Sequence, residues 1–137
     1  AGIKPIIGCE VYVARRGMED RVHGIDNDPY HLVLLCENRK GYENLCMLVS
    51  EAFTNGFYGK PRVDLKLLEK HHEGLIALSA CLAGAVPQYL MAEDYEAAKA
   101  YALELARIFG EDNFRNEIIW KRATAHSEMV KIFFIIC

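Results

Sequence analysis

Three observations predict an α/β fold with a largely parallel sheet. A period-two apolar stretch lies near the start, short apolar runs recur along the chain, and amphipathic segments separate them. In residues 5–14, Ile7, Cys9, Val11 and Val13 alternate with Gly8, Glu10 and Tyr12, so the apolar set lies on one face of a strand. Residues 15–29 are polar and turn-rich, with Arg15-Arg16-Gly17, Gly24 and Asn27-Asp28-Pro29, and read as a long loop. A second strand, 31–37, is mostly apolar, as expected of a sheet covered on both faces.

A helix is predicted over 42–55, where Tyr42, Leu45, Val49, Ala52 and Phe53 form the apolar stripe and Gly56 supplies the stop. A connector, Phe57-Tyr-Gly-Lys-Pro-Arg62, leads to a short helix at 64–70 with Asp64 as N-cap. Residues 75–80 form a compact apolar strand and 86–91 a short helix. The clearest element is the Ala-rich helix 94–109, with Tyr95, Ala98, Ala102, Leu105, Ala106 and Phe109 on one stripe and Gly110 after it. A last strand begins near Phe114. About four strands are too few to close a barrel.

At 137 residues, 52% hydrophobic and 26% charged, the chain has the composition of one ordinary globular domain rather than a disordered segment. A formal net charge of −3 gives it no overall basic surface for non-specific nucleic-acid binding. The apolar runs are far shorter than the roughly 20 residues a membrane helix needs, so no membrane partner is expected. The five cysteines, Cys9, Cys36, Cys46, Cys81 and Cys137, show no C-x-x-C spacing, which fits a reducing, cytoplasmic compartment. Residue 1 is Ala, the first methionine is Met18, and residues 132–137 are an apolar, β-prone hexamer ending in a thiol. Both ends are expected to be cut or altered, leaving a piece of a larger protein.

Three residues with metal-ligating side chains sit where strands run, begin or end: Glu10, His31 and Cys81. A carboxylate, an imidazole and a thiolate together suit Zn²⁺ or a similar borderline metal. Each also has a structural reading: a solvated outward glutamate, a hydrogen-bonded histidine, a small buried thiol. Side chains at the C-terminal ends of strands are, however, where α/β enzymes build their sites. His71 and His72 lie in a charged stretch and are assigned to the surface, and His23 sits in the polar loop. G-x-x-x-x-G-K-[ST], G-x-G-x-x-G and G-x-S-x-G are all absent, so phosphate-loop, dinucleotide and serine-hydrolase chemistry lack their motifs.

A series of strings then points to a family. They are Gly2-Ile-Lys-Pro-Ile-Ile-Gly-Cys-Glu10-Val-Tyr-Val, His31-Leu-Val-Leu-Leu-Cys-Glu-Asn, Gly41-Tyr-Glu-Asn-Leu and Gly56-Phe-Tyr-Gly-Lys-Pro-Arg, followed by Glu73-Gly-Leu-Ile-Ala-Leu-Ser-Ala-Cys81-Leu-Ala-Gly and Phe109-Gly-Glu-Asp-Asn-Phe114. In order and almost continuously over residues 1–114, the chain resembles the polymerase-and-histidinol-phosphatase (PHP) domain at the N-terminus of the alpha subunit of bacterial DNA polymerase III. The resemblance implies a partial PHP-type distorted (β/α)7 barrel, incomplete at both ends, with metal ligands at Glu10, His31 and Cys81. Zn²⁺ is the implied metal of this site, and Mg²⁺ that of a polymerase domain absent from this chain. In family members with a full ligand set, the site resembles a metal-dependent 3′–5′ exonuclease; in others the domain is a docking scaffold for the proofreading exonuclease subunit. The parent would be a DNA-directed DNA polymerase that binds DNA and other replicase subunits. A stand-alone PHP-type phosphoesterase is the alternative, and the fragment itself is expected to be inactive. The family's opening H-x-H motif is expected before residue 1 and its D-x-H motif after the present end. Residues 115–137 depart from the pattern and read as a divergent tail, frameshifted or truncated, in which Glu117 still aligns.

Overall fold

A computed structural model of the chain describes residues 5–115. The strands are β1 (Gly8–Val13), β2 (Tyr30–Cys36), β3 (Arg62–Val63), β4 (Leu75–Leu78) and β5 (Phe114–Arg115). The helices are α1 (Arg39–Thr54), α2 (Leu65–Lys70), α3 (Ala85–Met91) and α4 (Tyr95–Phe109). One open sheet has the order β3-β1-β2-β4-β5.

The expected largely parallel sheet is corrected to a mixed one. Strands β1/β2 and β2/β4 pair antiparallel, whereas β1/β3 and β4/β5 pair parallel. The reason lies in the connections. Residues 14–29 form a loop without a crossover helix, and the chain returns directly beside β1 in the opposite sense. Helices α3 and α4 bridge β4 to β5, and that pair is parallel. The strand count is five rather than about four, because β3 is a two-residue edge strand in what reads as a connector.

One sheet face is packed and the other holds Glu10, Tyr12 and His31. Cys9, Val11 and Val13 of β1, Leu32 and Leu34 of β2, Val63 of β3 and Ala77 of β4 join a single core cluster. They meet Leu45, Leu48 and Ala52 of α1, Leu67 and Leu68 of α2, and Leu105, Ile108 and Phe109 of α4. The alternate residues of β1 and β2, Glu10, Tyr12 and His31, face away from that cluster and stay half-buried.

Helix α1 starts earlier than its apolar spacing suggests, because the Asn38 side chain accepts from Gly41 N at 3.0 Å and caps it. Its buried stripe is Gly41, Asn44, Leu45, Leu48 and Ala52, which leaves Tyr42 48% and Phe53 49% exposed. The rotation follows from a backbone contact: a Cβ at Gly41 would strike the Gly74 carbonyl, and Asn44 Nδ2 donates to Glu73 O at 2.8 Å. The capping of α2 by Asp64 and of α4 by Asp94 follows the sequence reading, each side chain accepting from the amide three residues on. Tyr95, expected on the α4 stripe, is 66% exposed, and Ile108 is buried in addition.

The loop between β1 and β2 is held by two buried charges. Arg62, with no exposed surface, donates to four backbone carbonyls: Gly56 at 3.1 Å and Asp26, Met18 and Asp20 at 2.9 Å each. Asp26 is 3% exposed and pairs with Arg16 through both oxygens, at 3.0 and 2.6 Å. Hydrogen bonds from Arg16, and a further one from the Val22 amide, hold the Asp26 carboxyl at about 2 against the opposing effect of desolvation. Its carboxyl titrates in the unfolded chain near about 3.9, so the ionised form is favoured in the fold. That contribution is complete above the unfolded value and is lost as pH falls through about 2. Thermal melts from about pH 5 down to about pH 2 should therefore show a falling midpoint. The Asp26→Asn variant should start lower and fall less over the same window, and parallel curves for the two proteins would refute the assignment.

Candidate metal centre

The sheet register brings two of the predicted ligands together. Tyr12 lies opposite His31, and Glu10 lies opposite Val33, so Glu10 and His31 are diagonal neighbours on the open face. A glutamate is long enough to span that diagonal: its Oε1 lies 2.5 Å from His31 Nδ1. The Tyr12 ring meets the His31 ring edge-on, with centroids 5.1 Å apart and planes at 79°, and limits its rotation.

The third residue arrives from a different element. Strand β4 ends at Leu78, not at residue 80 as the apolar run suggests, and the chain leaves it through Ser79 and Ala80, the latter at φ 60°. Cys81 follows in an exposed turn, with Sγ 3.8 Å from His31 Nδ1. The turn is tied to the start of β2, because His31 N donates to Ala83 O at 3.1 Å. Gly84 N donates to Cys81 O at 2.9 Å, and the Ala83 amide donates to Cys81 Sγ at 3.5 Å. A Cβ at Gly84 would collide with the Ser79 carbonyl and lie 3.1 Å from Cys81 O and 3.4 Å from His31 O. Glycine there lets the turn close against β2 and presents the thiol to the imidazole.

Donor atoms of Glu10, His31 and Cys81 all lie within 4.8 Å of one another, and this is the group of that kind found among the described residues. The set fits a metal. In a tetrahedral zinc site, N, O and S ligands stand about 3.3–3.6 Å apart. The His31–Cys81 separation is already close to that, and the Glu10–His31 contact must open by just under about 1 Å, which a carboxylate rotation provides. Carboxylate, imidazole and thiolate are also the donor types that Zn²⁺ accepts. Of the other histidines, His23 is exposed in the loop, and His72 Nδ1 lies 2.7 Å from Glu69 O; neither joins the group. A surface groove of about 470 Å³, lined by Gly17, Met18, Asp64 and Lys70 among others, shares no residue with it.

Comparison with known proteins identifies the family. The sequence profile of the PHP domain matches residues 1–119. The chain belongs to the PHP domain family. It is 48% identical over 118 residues to the DNA polymerase III subunit alpha of Treponema pallidum, and 45% identical over 119 residues to that of Thermus aquaticus. Each alignment covers 85% of this chain and 10% of the relative. The chain thus spans about a tenth of the length of these relatives. The mixed α/β architecture, with its unclosed sheet, is that of a partial PHP barrel.

Residues 116–137, including Glu117, most of the predicted divergent tail and Cys137, lie outside the described residues, as do residues 1–4. Among the described residues, the other four cysteines form no disulfide. Among the described residues, no helix is long and apolar enough to cross a membrane. Two residues of this PHP domain had no signal of their own in the sequence reading: Tyr12, which braces His31, and Gly84, which closes the Cys81 turn. The strings Cys-Glu-Val-Tyr and Ala-Cys-Leu-Ala-Gly contain them, but only the pairing register and the backbone contact reveal their parts.

Proposed function

We propose that this chain is part of the PHP domain (residues 1–114) of a replicative DNA polymerase alpha subunit, with 115–137 as a divergent tail, and that Glu10, His31 and Cys81 are metal ligands. The observation that carries the ligand assignment is the convergence of three zinc-type donors from β1, β2 and the turn after β4 within 4.8 Å. The parent protein on this reading is a cytoplasmic DNA-directed DNA polymerase that acts on DNA with other replicase subunits, a proofreading exonuclease among them. Identity of 48% and 45% to polymerase subunits supports the polymerase branch over a stand-alone phosphoesterase.

Zn²⁺ held by Glu10, His31 and Cys81 would supply the Lewis acidity that 3′–5′ phosphodiester hydrolysis requires. The chain's own residues set the conditions. Glu10 and Cys81 present an oxygen and a sulfur donor, His31 presents Nδ1 between them, and Tyr12 limits the ring's rotation. A multinuclear site needs more ligands than these three, so the chain by itself is expected to be inactive. The family resemblance also allows a second reading, a non-catalytic scaffold for the proofreading subunit.

The intact polymerase subunit containing this segment separates the two. Zinc-dependent removal of 3′-terminal nucleotides from single-stranded DNA, abolished by Glu10→Ala, is the expected result. Absent nuclease activity, with partner binding unchanged by Glu10→Ala, His31→Ala and Cys81→Ala, would replace the catalytic reading with the scaffold.

A further inference from the structure

The string Gly56-Phe-Tyr-Gly-Lys-Pro-Arg62 supplies no residue to the candidate metal group, yet one of its residues, Lys60, reaches the Tyr12 ring that braces His31. Phe57 stacks on Phe53 at 6.5 Å, and the Arg62 guanidinium lies 5.2 Å from the Tyr58 ring centre. Gly59, at φ 69°, makes the tight turn in which Tyr58 N donates to Lys60 O at 3.0 Å. The turn carries Lys60 back toward the sheet, where its Nζ sits 4.5 Å from the centre of the Tyr12 ring. That same ring abuts His31. Lys60 forms no salt bridge among the described residues, in contrast to Arg15, Arg16, Arg39 and Arg107. An ammonium group placed on an aromatic ring that abuts a candidate metal ligand, with no carboxylate paired to it among the described residues, is arranged to meet an anion.

We propose that Lys60, held on Tyr12 at the edge of the Glu10–His31–Cys81 group, is a phosphate-binding residue that receives a phosphate oxygen of the substrate. The proposal rests on the metal-site reading above. The phosphate is that of a mononucleotide or of a DNA strand. Lys60 would donate a charge-assisted hydrogen bond to one non-bridging oxygen and orient the ester toward the ligands. Tyr12 restricts the lysine's rotamers, so less freedom is lost when the anion binds.

Two probes, inorganic phosphate and a short oligothymidylate, are titrated into the full chain with and without Co²⁺, which also reads metal uptake independently. In Lys60→Met, binding of at least the strand is expected to weaken about fivefold or more, with Lys60→Arg recovering most of the loss and cobalt affinity unchanged. Weakening of both probes points to any phosphate ester, and weakening of the strand alone to an internal strand phosphate. Equal binding of both probes by wild type and Lys60→Met overturns the proposal, as does loss of cobalt affinity in Lys60→Met, which would make the lysine structural. Failure of the wild-type chain to take up cobalt sinks the metal reading instead, and the cobalt-free titrations then decide Lys60 by the same criterion.

Discussion

Arg62→Met should destabilise the chain by about 3–5 kcal/mol, the largest stability effect expected of a single substitution here. The guanidinium has no exposed surface and donates to the carbonyls of Met18, Asp20, Asp26 and Gly56. Removing it leaves four acceptors turned toward an apolar side chain, and unsatisfied buried acceptors carry their full desolvation cost. Asp26 also loses the favourable field of Arg62. Lysine is a poor replacement, since one ammonium cannot reach carbonyls spread around a planar fork. Arg62→Lys should therefore also lose stability. Urea unfolding checks both variants, and a midpoint unchanged in Arg62→Met would contradict the account. The consequence reaches the open face, because β3 pairs in register with Tyr12, the residue that braces His31.

Gly84→Ala should weaken metal binding by about tenfold to a hundredfold, the range seen when the support of a ligand is disturbed. The added methyl group meets the Ser79 carbonyl, and backbone cannot yield as a flexible side chain can. The turn must open, and Cys81 then moves away from His31 Nδ1. Gly17→Ala is the control: its nearest neighbour is an Asp20 side-chain oxygen at 3.3 Å, so it should bind metal as the wild type does. Cobalt titration of the two variants distinguishes a specific effect on the Cys81 turn from a general loss of fold. Equal affinity in Gly84→Ala and Gly17→Ala would show that the turn does not position the thiol.

Much of this architecture is legible in the chain because local signals agree with one another. The Asp64 and Asp94 caps place α2 and α4 to within a residue, and the alternation through Cys9, Val11 and Val13 places β1 to within three. The candidate trio is legible through family strings, whereas spacing alone separates Glu10, His31 and Cys81 by tens of residues. What escaped depends on long-range geometry. A two-residue edge strand has no period to detect, and the antiparallel return after β1 depends on where a sixteen-residue loop (14–29) brings the chain. Tyr42 and Phe53 read as core because aromatic residues at helical spacing usually are, but the Gly41–Gly74 contact turns α1 past them. Arg62 read as a connector residue because arginine is rarely buried. Its place is set by four carbonyls that converge only in the folded loop.

The most direct test of the central claim is the near-ultraviolet absorption of the chain titrated with Co²⁺, since thiolate ligation produces a charge-transfer band that carboxylate and imidazole do not. The account predicts a single bound ion whose band disappears in Cys81→Ser, survives in Cys46→Ser, and is bound more weakly in Glu10→Ala and His31→Ala. Cys46 is an exposed thiol outside the group and so controls for adventitious cysteine binding. A band that persists in Cys81→Ser, or no band in the wild type, would contradict the assignment of Glu10, His31 and Cys81 as one metal site.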